Sequence, residues 1–356
     1  MMKIKYAMIG FGGIAENRIA KEGFGCDKTR FDGHPLAELV CVTDMNAARQ
    51  KAAKALKLKW ANSVDEILAD PTIDAVYIAT NNASHAELAI RALKARKHVM
   101  VEKPMATSPE DAKLMLHLAE QYKLSLTVDH MMVFNAYNQL ARKYVKSGKL
   151  GVINDSCFHM EFLYGATPEE AATWRCNDVK EMGGPIGDVA SHCLYMAEFM
   201  FDSIVRKVQA VYLPKTLGIK AEDGAYIHFE LENGQRGSIK VAFSEPRGGL
   251  VGTLSNLGYE IYGDKGVLRC YGGLFQLSGT DDEPYGIRLE ADFGRDGFKS
   301  LHPRKQANIY QQIIAKHAQS IIDGKPINAE DGYRNLKACR IMHKSAQKGG
   351  SPFIVR

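Results

Sequence analysis

No stretch of this chain reaches the roughly 18 consecutive apolar residues that a membrane helix needs, and none of its 356 residues falls in a block of five like charges. The first absence argues against a spanning segment. The second, with a net charge of only +5 from 46 basic and 41 acidic residues, argues against a nucleic-acid face or a polybasic membrane surface. The seven cysteines are odd in number and scattered without CxxC spacing, so neither a disulfide framework nor a metal knuckle is expected. Reduced thiols in a cytoplasmic protein fit them best. Repeats and low-complexity segments are also missing. The N-terminal MMKIKYAMIGFGG is basic and then apolar, but it alternates like a strand and meets glycines where a secretory leader would carry small residues for cleavage. The remaining composition, 46% apolar and 24% charged, is that of an ordinary globular protein long enough for two domains.

The first 128 residues alternate between apolar runs of strand length and helical patterns. Strands are expected at 4–10, 37–44, 75–80, 98–103 and 125–129, and helices at 15–22, 47–56, 64–69, 83–95 and 109–122. The strands are nearly continuous apolar runs, which suggests burial on both faces and a doubly wound parallel sheet of Rossmann type. A helix near 136–147 follows, and then the pattern changes. Asn233-Gly234 between two alternating runs signals a hairpin, and Gly263-Asp264-Lys265-Gly266 signals another. Residues 151 to about 290 therefore read as an open, mostly antiparallel sheet, closed by helices near 306–323 and 329–347. The expected division is a doubly wound α/β domain at 1–128 and an α+β domain at 129–356.

Gly10, Phe11, Gly12, Gly13, Ile14 and Ala15 link the first strand to the first helix, giving Gly-x-Gly-x-x-Ala. Such a turn brings backbone N–H groups close to a pyrophosphate. Asp44, ending the second strand, could accept from a ribose diol and would repel a 2′-phosphate, favouring NAD over NADP. A cap on the following helix is the plainer use of an Asp there, and the cofactor reading is preferred because a strand-two acid belongs to the fingerprint. It lies 32 residues beyond Gly12, where about 20 is usual. The excess falls on residues 22–35, expected to form a surface loop.

Glu102-Lys103-Pro104 ends the fourth strand, and ligands of doubly wound sheets bind at carboxyl ends. Lys103 there could polarise a carbonyl or steady an alkoxide. In Gly183-Gly184-Pro185-Ile186-Gly187-Asp188 the proline suits a first helical turn. Asp188 and His192, four apart, would share one face, either as a proton-transfer pair or as an ordinary polar pair.

Together GFGGIA, the segment from Ala79 to Ala106 and GGPIGDVASH resemble the glucose–fructose oxidoreductase/inositol dehydrogenase (Gfo/Idh/MocA) family, and the likeness runs along nearly the whole chain. The resemblance implies an NAD-linked enzyme acting on a sugar, cyclitol or polyol in a pocket between its domains. It assigns acid–base work to Lys103, Asp188 and His192, and a Pro104 that is often cis. It places Thr80, Asn81, His85 and Glu102 near the cofactor and Trp174 and Arg175 near the substrate. His130 is a further candidate for the pocket, although a buried structural histidine is the simpler reading. Asn81 and Val133 depart from the family pattern, so no particular substrate follows. Association into a dimer or tetramer through the C-terminal sheet is implied as well. Two rivals stand beside the dehydrogenase: a glycosidase or lyase that recycles bound NAD, with His130, His159 or Tyr164 as a base, and a non-catalytic dinucleotide sensor.

Overall fold

A computed structural model describes residues 3–178, 180–245, 256–274, 286–294 and 297–355. The chain divides into two compact units, Met1–Met131 with Ala307–Tyr333, and Met132–Gln306 with Arg334–Arg356.

The first unit holds six parallel strands, β1 (Ile4–Ile9), β2 (Ala37–Thr43), β3 (Lys59–Trp60), β4 (Ala75–Ile78), β5 (His98–Val101) and β6 (Leu126–Val128). Their order is β3-β2-β1-β4-β5-β6. Apolar side chains are buried all along β1, β4 and β5, as continuous apolar runs require. The chain crosses outward in both directions from β1, so the β1–β4 boundary is the switch point at which such sheets bind ligands. Some helices of this unit begin on side-chain caps, at Ser63 and Ser108. Ser108 Oγ accepts from the Asp111 N–H at 3.1 Å, with Pro109 in the first turn. Five strands were expected and six are present. The two-residue β3 pairs with Cys41 and Val42 and is too short to leave a period in the sequence.

Residues 22–35 are not simply a surface loop. Phe24 is buried and packs its ring against Tyr6, with centroids 5.1 Å apart, and edge-on to Tyr77 at 6.4 Å. His34 Nδ1 accepts from the Leu36 and Ala37 N–H groups, so its Nε2 donates to the Gln311 carbonyl at 3.0 Å. Buried Glu22 receives Asn308 Nδ2 at 2.9 Å and pairs with Arg18. These anchors attach the insertion to the Ile309–Ile322 helix. Residues 307–333 accordingly fold with the first unit, whereas one change of pattern near 128 suggested one boundary.

Among the described residues the second unit forms a nine-stranded sheet of β7 (Ile153–Glu161), β8 (Val205–Tyr212), β9 (Gly224–Leu231), β10 (Arg236–Ala242), β11 (Leu257–Gly263), β12 (Gly266–Tyr271), β13 (Arg288–Asp292), β14 (Lys299–Leu301) and β15 (Phe353–Ile354). The order is β14-β13-β12-β11-β7-β10-β9-β8-β15, antiparallel except for the parallel β7–β10 pair. Both expected hairpins form, with Gly234 at φ +87° and with Gly263 facing Gly266. Alternation is clear in β9, where Ala225, Ile227, Phe229 and Leu231 are buried while Tyr226 is exposed. The buried face meets the Ala136–Lys146 helix and the helical segment from Ile186 to Phe201. The other face carries Val211 and Tyr226 exposed among ion pairs such as Arg236–Glu230 and Lys240–Glu245.

Candidate active site

The glycines after β1 do two different jobs. Gly10, at φ +89°, lies so close to the β4 end that an added Cβ would sit 2.6 Å from the Ala79 carbonyl oxygen and 2.9 Å from Thr80 Cγ2. Packing of one loop on the other demands glycine there. Around Gly12 and Gly13 an added Cβ would meet nothing within 4 Å among the described residues. No described residue fills that space, and a pyrophosphate could approach the backbone through it. The residues present therefore fit a dinucleotide.

The loop is held from β2. The Phe11 N–H donates to Asp44 Oδ2 at 2.6 Å, and Asp44 Oδ1 accepts the Asn46 N–H at 2.8 Å. Asn46, not Asp44, caps the short turn Ala47–Arg49, accepting from the Ala48 N–H. Each Asp44 oxygen keeps accepting capacity that a ribose diol could use. Arg49 donates from Nε to the Phe11 carbonyl at 2.6 Å and pairs with Glu16. The helix that follows, Ala15–Gly23, is wound wider than an α-helix, and the Phe24 N–H reaches back five residues to the Ile19 carbonyl.

At the ends of β4 and β5 a single imidazole joins two loops. His85, fully buried, contacts the Pro104 carbonyl through Nδ1 at 2.8 Å and the Thr80 carbonyl through Nε2 at 3.2 Å. Burial lowers its pKa, against the two carbonyls that favour the cation and with the Lys103 charge nearby. A neutral ring has one N–H and donates to one of these carbonyls, while the imidazole packs between the Thr80 loop and the Glu-Lys-Pro turn. Ser84 Oγ bonds Thr80 Oγ1 at 2.7 Å and Asn81 Oδ1 at 2.6 Å, completing the loop. The Lys103–Pro104 peptide is cis.

Glu102 turns inward. Its carboxyl meets the Tyr77 hydroxyl at 3.1 Å, and the same hydroxyl contacts Asp129 at the end of β6. Burial raises the Glu102 pKa, opposed by the neighbouring Lys103 charge. Burial and then the Glu102 charge raise that of Asp129 well above the carboxylate range. His130, also buried, pairs through Nδ1 with Asp331 Oδ2 at 2.9 Å and so ties β6 to the start of the Glu330–Gln347 helix.

In the second unit the glycines of the Gly183-Gly187 turn are all occupied by protein. A Cβ on Gly183 would lie 2.6 Å from the Trp174 carbonyl oxygen, and one on Gly184 (φ +79°) 2.5 Å from a Glu222 carboxyl oxygen. One on Gly187 would overlap the Met182 carbonyl. Glu222, buried, accepts the Ile186 N–H at 2.8 Å where the helix begins. Burial pushes its pKa up to about 7 despite that N–H.

Asp188 lies in a widened turn, Ile186–Ala190, that runs into the helix Ser191–Phe201. Asp188 Oδ2 accepts from Arg175 Nε at 3.2 Å, and the Arg175 guanidinium lies over the Trp174 ring at 4.7 Å. His192 Nδ1 contacts the Tyr195 hydroxyl at 2.8 Å. Tyr164 bonds Thr173 at 3.3 Å, and His159 Nδ1 lies 3.4 Å from Glu161.

The fold thus brings Trp174, Arg175 and Asp188 together, and likewise the glycine loop with Asp44, and Thr80 with His85 and the Glu-Lys-Pro turn. Sequence reasoning passed over Arg49, Tyr77, Asp129 and Glu222. Asp129 had one signal, an acid ending an otherwise apolar strand. Glu222, in a turn before β9, had none.

Residues 4–130 match the model of the GFO_IDH_MocA oxidoreductase family with its NAD-binding Rossmann fold, and residues 138–269 match that of the GFO/IDH/MocA C-terminal domain. The chain belongs to this family. Among GFO/IDH/MocA relatives it is 27% identical over 296 residues to a 1,5-anhydro-D-fructose reductase of Ensifer adhaerens, covering 82% of this chain and 83% of that one. It is 33% identical over 177 residues to a levoglucosan dehydrogenase of Pseudarthrobacter phenanthrenivorans, covering 48% and 43% of the two chains. A solved levoglucosan dehydrogenase in complex with NADH and levoglucosan shares the fold, with a TM-score of 0.81 at 22% identity, over 99% of this chain and 100% of that one. Like them, this GFO/IDH/MocA chain is an oxidoreductase by family. No helix among the described residues is long and apolar enough to cross a membrane.

Proposed function

We propose that this protein transfers a hydride between a nicotinamide dinucleotide and a hydroxyl-bearing carbon of a sugar, cyclitol or related polyol. The observation that carries the reading is the open space at Gly12 and Gly13, beside the switch point of the sheet. The named activities of the relatives, which act on sugars, support the substrate class. Bound NAD would supply the hydride acceptor. Lys103 steadies the developing alkoxide, His192 exchanges the hydroxyl proton with its ring braced by Tyr195, and Asp188, paired with Arg175, tunes the local charge. Trp174 and Arg175 line the substrate. The Asp44 carboxylate disfavours a 2′-phosphate, and Arg49 is engaged by Glu16 and Phe11, so NAD is preferred over NADP. The open sheet face, with Val211 and Tyr226 exposed, is the surface through which copies associate, which sedimentation of the purified protein checks.

The test is a screen of purified protein with NAD and NADP against polyols and sugars, followed by Lys103→Ala. The variant should keep NAD affinity and lose at least about a hundredfold in kcat. Loss of NAD binding instead would remove Lys103 from the chemistry.

A further inference from the structure

The connection between β8 and β9, residues 213–223, runs well past the roughly two to five residues of an ordinary hairpin loop. Its extra chain is tied to itself. Lys215 Nζ donates to the Ile219 carbonyl at 2.9 Å and to the Ala221 carbonyl at 2.6 Å, and it pairs with Asp223 Oδ1 at 2.7 Å. The fully buried Asp223 in turn accepts from the Thr216 and Leu217 N–H groups. A loop closed in this way presents one shape to its neighbours.

That shape docks on two segments of the candidate site. The helix Trp174–Asn177 is too short to satisfy its own carbonyls, and the Cys176 carbonyl accepts the Lys220 N–H at 3.0 Å and the Ala221 N–H at 2.8 Å. The turn Ile186–Ala190 starts after Pro185, whose side chain offers no cap. Its Ile186 N–H is taken instead by Glu222, 36 residues away, at 2.8 Å. The same carboxyl is wedged against the turn, since a Cβ on Gly184 would lie 2.5 Å and 2.6 Å from its two oxygens. Three consecutive residues, Lys220, Ala221 and Glu222, thus hold the end of one segment and the beginning of the other. Those segments carry Arg175 and Asp188, whose side chains meet at 3.2 Å.

We propose that residues 215–223 form a clamp in which Glu222 is a positioning residue, fixing the Asp188 turn against the helix that carries Trp174 and Arg175. This deepens the function proposed above and rests on the roles given there to Arg175 and Asp188. The carboxyl acts through the backbone: it holds Ile186, two residues before Asp188, while its neighbours hold Cys176, next to Arg175. A displacement of about 1 Å between such groups can cost about a hundredfold in rate.

Glu222→Ala removes the acceptor and Glu222→Gln keeps it. With NAD affinity unchanged, the alanine variant should lose at least about tenfold in kcat/KM for the best polyol of the screen, and the glutamine variant should stay within about threefold of wild type. Added to Arg175→Ala, Glu222→Ala should cost less than about threefold more, because both changes break the same pairing. A readout independent of turnover comes from tryptophan fluorescence. The chain has two tryptophans, so Trp60→Phe leaves Trp174 alone. In that background acrylamide quenching of Trp174 should rise at least about twofold in Glu222→Ala and in Lys215→Met, which loosens the loop from its half-exposed side, and stay level in Glu222→Gln. Lys215→Met carries this test if Glu222→Ala does not fold. Unchanged quenching in the folded variants overturns the clamp. Glutamine as damaging as alanine, or losses that simply add to that of Arg175→Ala, overturns the positioning role of Glu222. Increased quenching with no turnover of wild type on any polyol overturns the hydride-transfer reading, while the clamp stands.

Discussion

The two glycine-rich turns, Gly10–Gly13 in the first unit and Gly183–Gly187 in the second, look alike in sequence and differ in what surrounds them. Every glycine of the second turn fills space against protein: the Trp174 carbonyl, the Glu222 carboxyl and the Met182 carbonyl. In the first, only Gly10 does, and Gly12 and Gly13 border nothing. A glycine kept for packing and a glycine kept for an absent visitor cannot be told apart by spacing. Their surroundings separate them, and only the second kind points at a ligand.

That contrast can be broken most severely at Gly187. Valine there must displace backbone, so Gly187→Val should cost about 3 kcal/mol or more in a denaturant melt. A loss below about 1 kcal/mol would mean that the turn is not packed as described.

The carboxyl lodged against Gly184 gives a smaller, pH-dependent effect. Glu222 binds its proton more tightly in the folded chain, with a pKa of about 7, than in the unfolded chain, where about 4.3 is usual. Its stabilising contribution is therefore complete below the unfolded value and is lost as pH rises through about 7. Glu222→Gln can still accept the Ile186 N–H but has no proton to lose. Relative to wild type it should gain stability between about pH 4.5 and 7.5, on the order of 1–3 kcal/mol at the upper end, in melts across that range. A flat difference would remove the buried acid from the pH response.

The mildest structural effect is expected in the first turn. Gly12→Ala should leave the melting temperature within about 3 °C of wild type while weakening NAD binding, measured by fluorescence titration, at least about tenfold. A destabilised variant with intact NAD affinity would invert the distinction drawn between the two turns.

The same distinction explains what could be read in advance. β1, β2, β4, β5 and β6 were legible because buried parallel strands must be continuously apolar, and both hairpins because Asn233-Gly234 and Asp264-Lys265 sit between alternating runs. The positions of Lys103, Asp44 and Asp188 at strand and helix ends were legible as well. Their partners were not. Tyr77 lies 52 residues from Asp129, and Ile186 lies 36 from Glu222. Such pairs exist only once the sheet is assembled, and no local period records them. Neighbours in sequence can even be driven apart. Burial raises Glu222, while in Asp223 the same pull is outweighed by Lys215 and the Thr216 and Leu217 N–H groups, which lower it.

The return of residues 307–333 to the first unit sets a rule for anyone dissecting the chain. A fragment ending at residue 131 would strip Asn308 from the Glu22 carboxylate, Gln311 from His34 and His317 from the Tyr6 hydroxyl, opening to solvent three groups that are buried in the intact fold. To be excised whole, the nucleotide half must be spliced from two separate pieces of the gene, and a graft that forgets the second piece should yield an insoluble product.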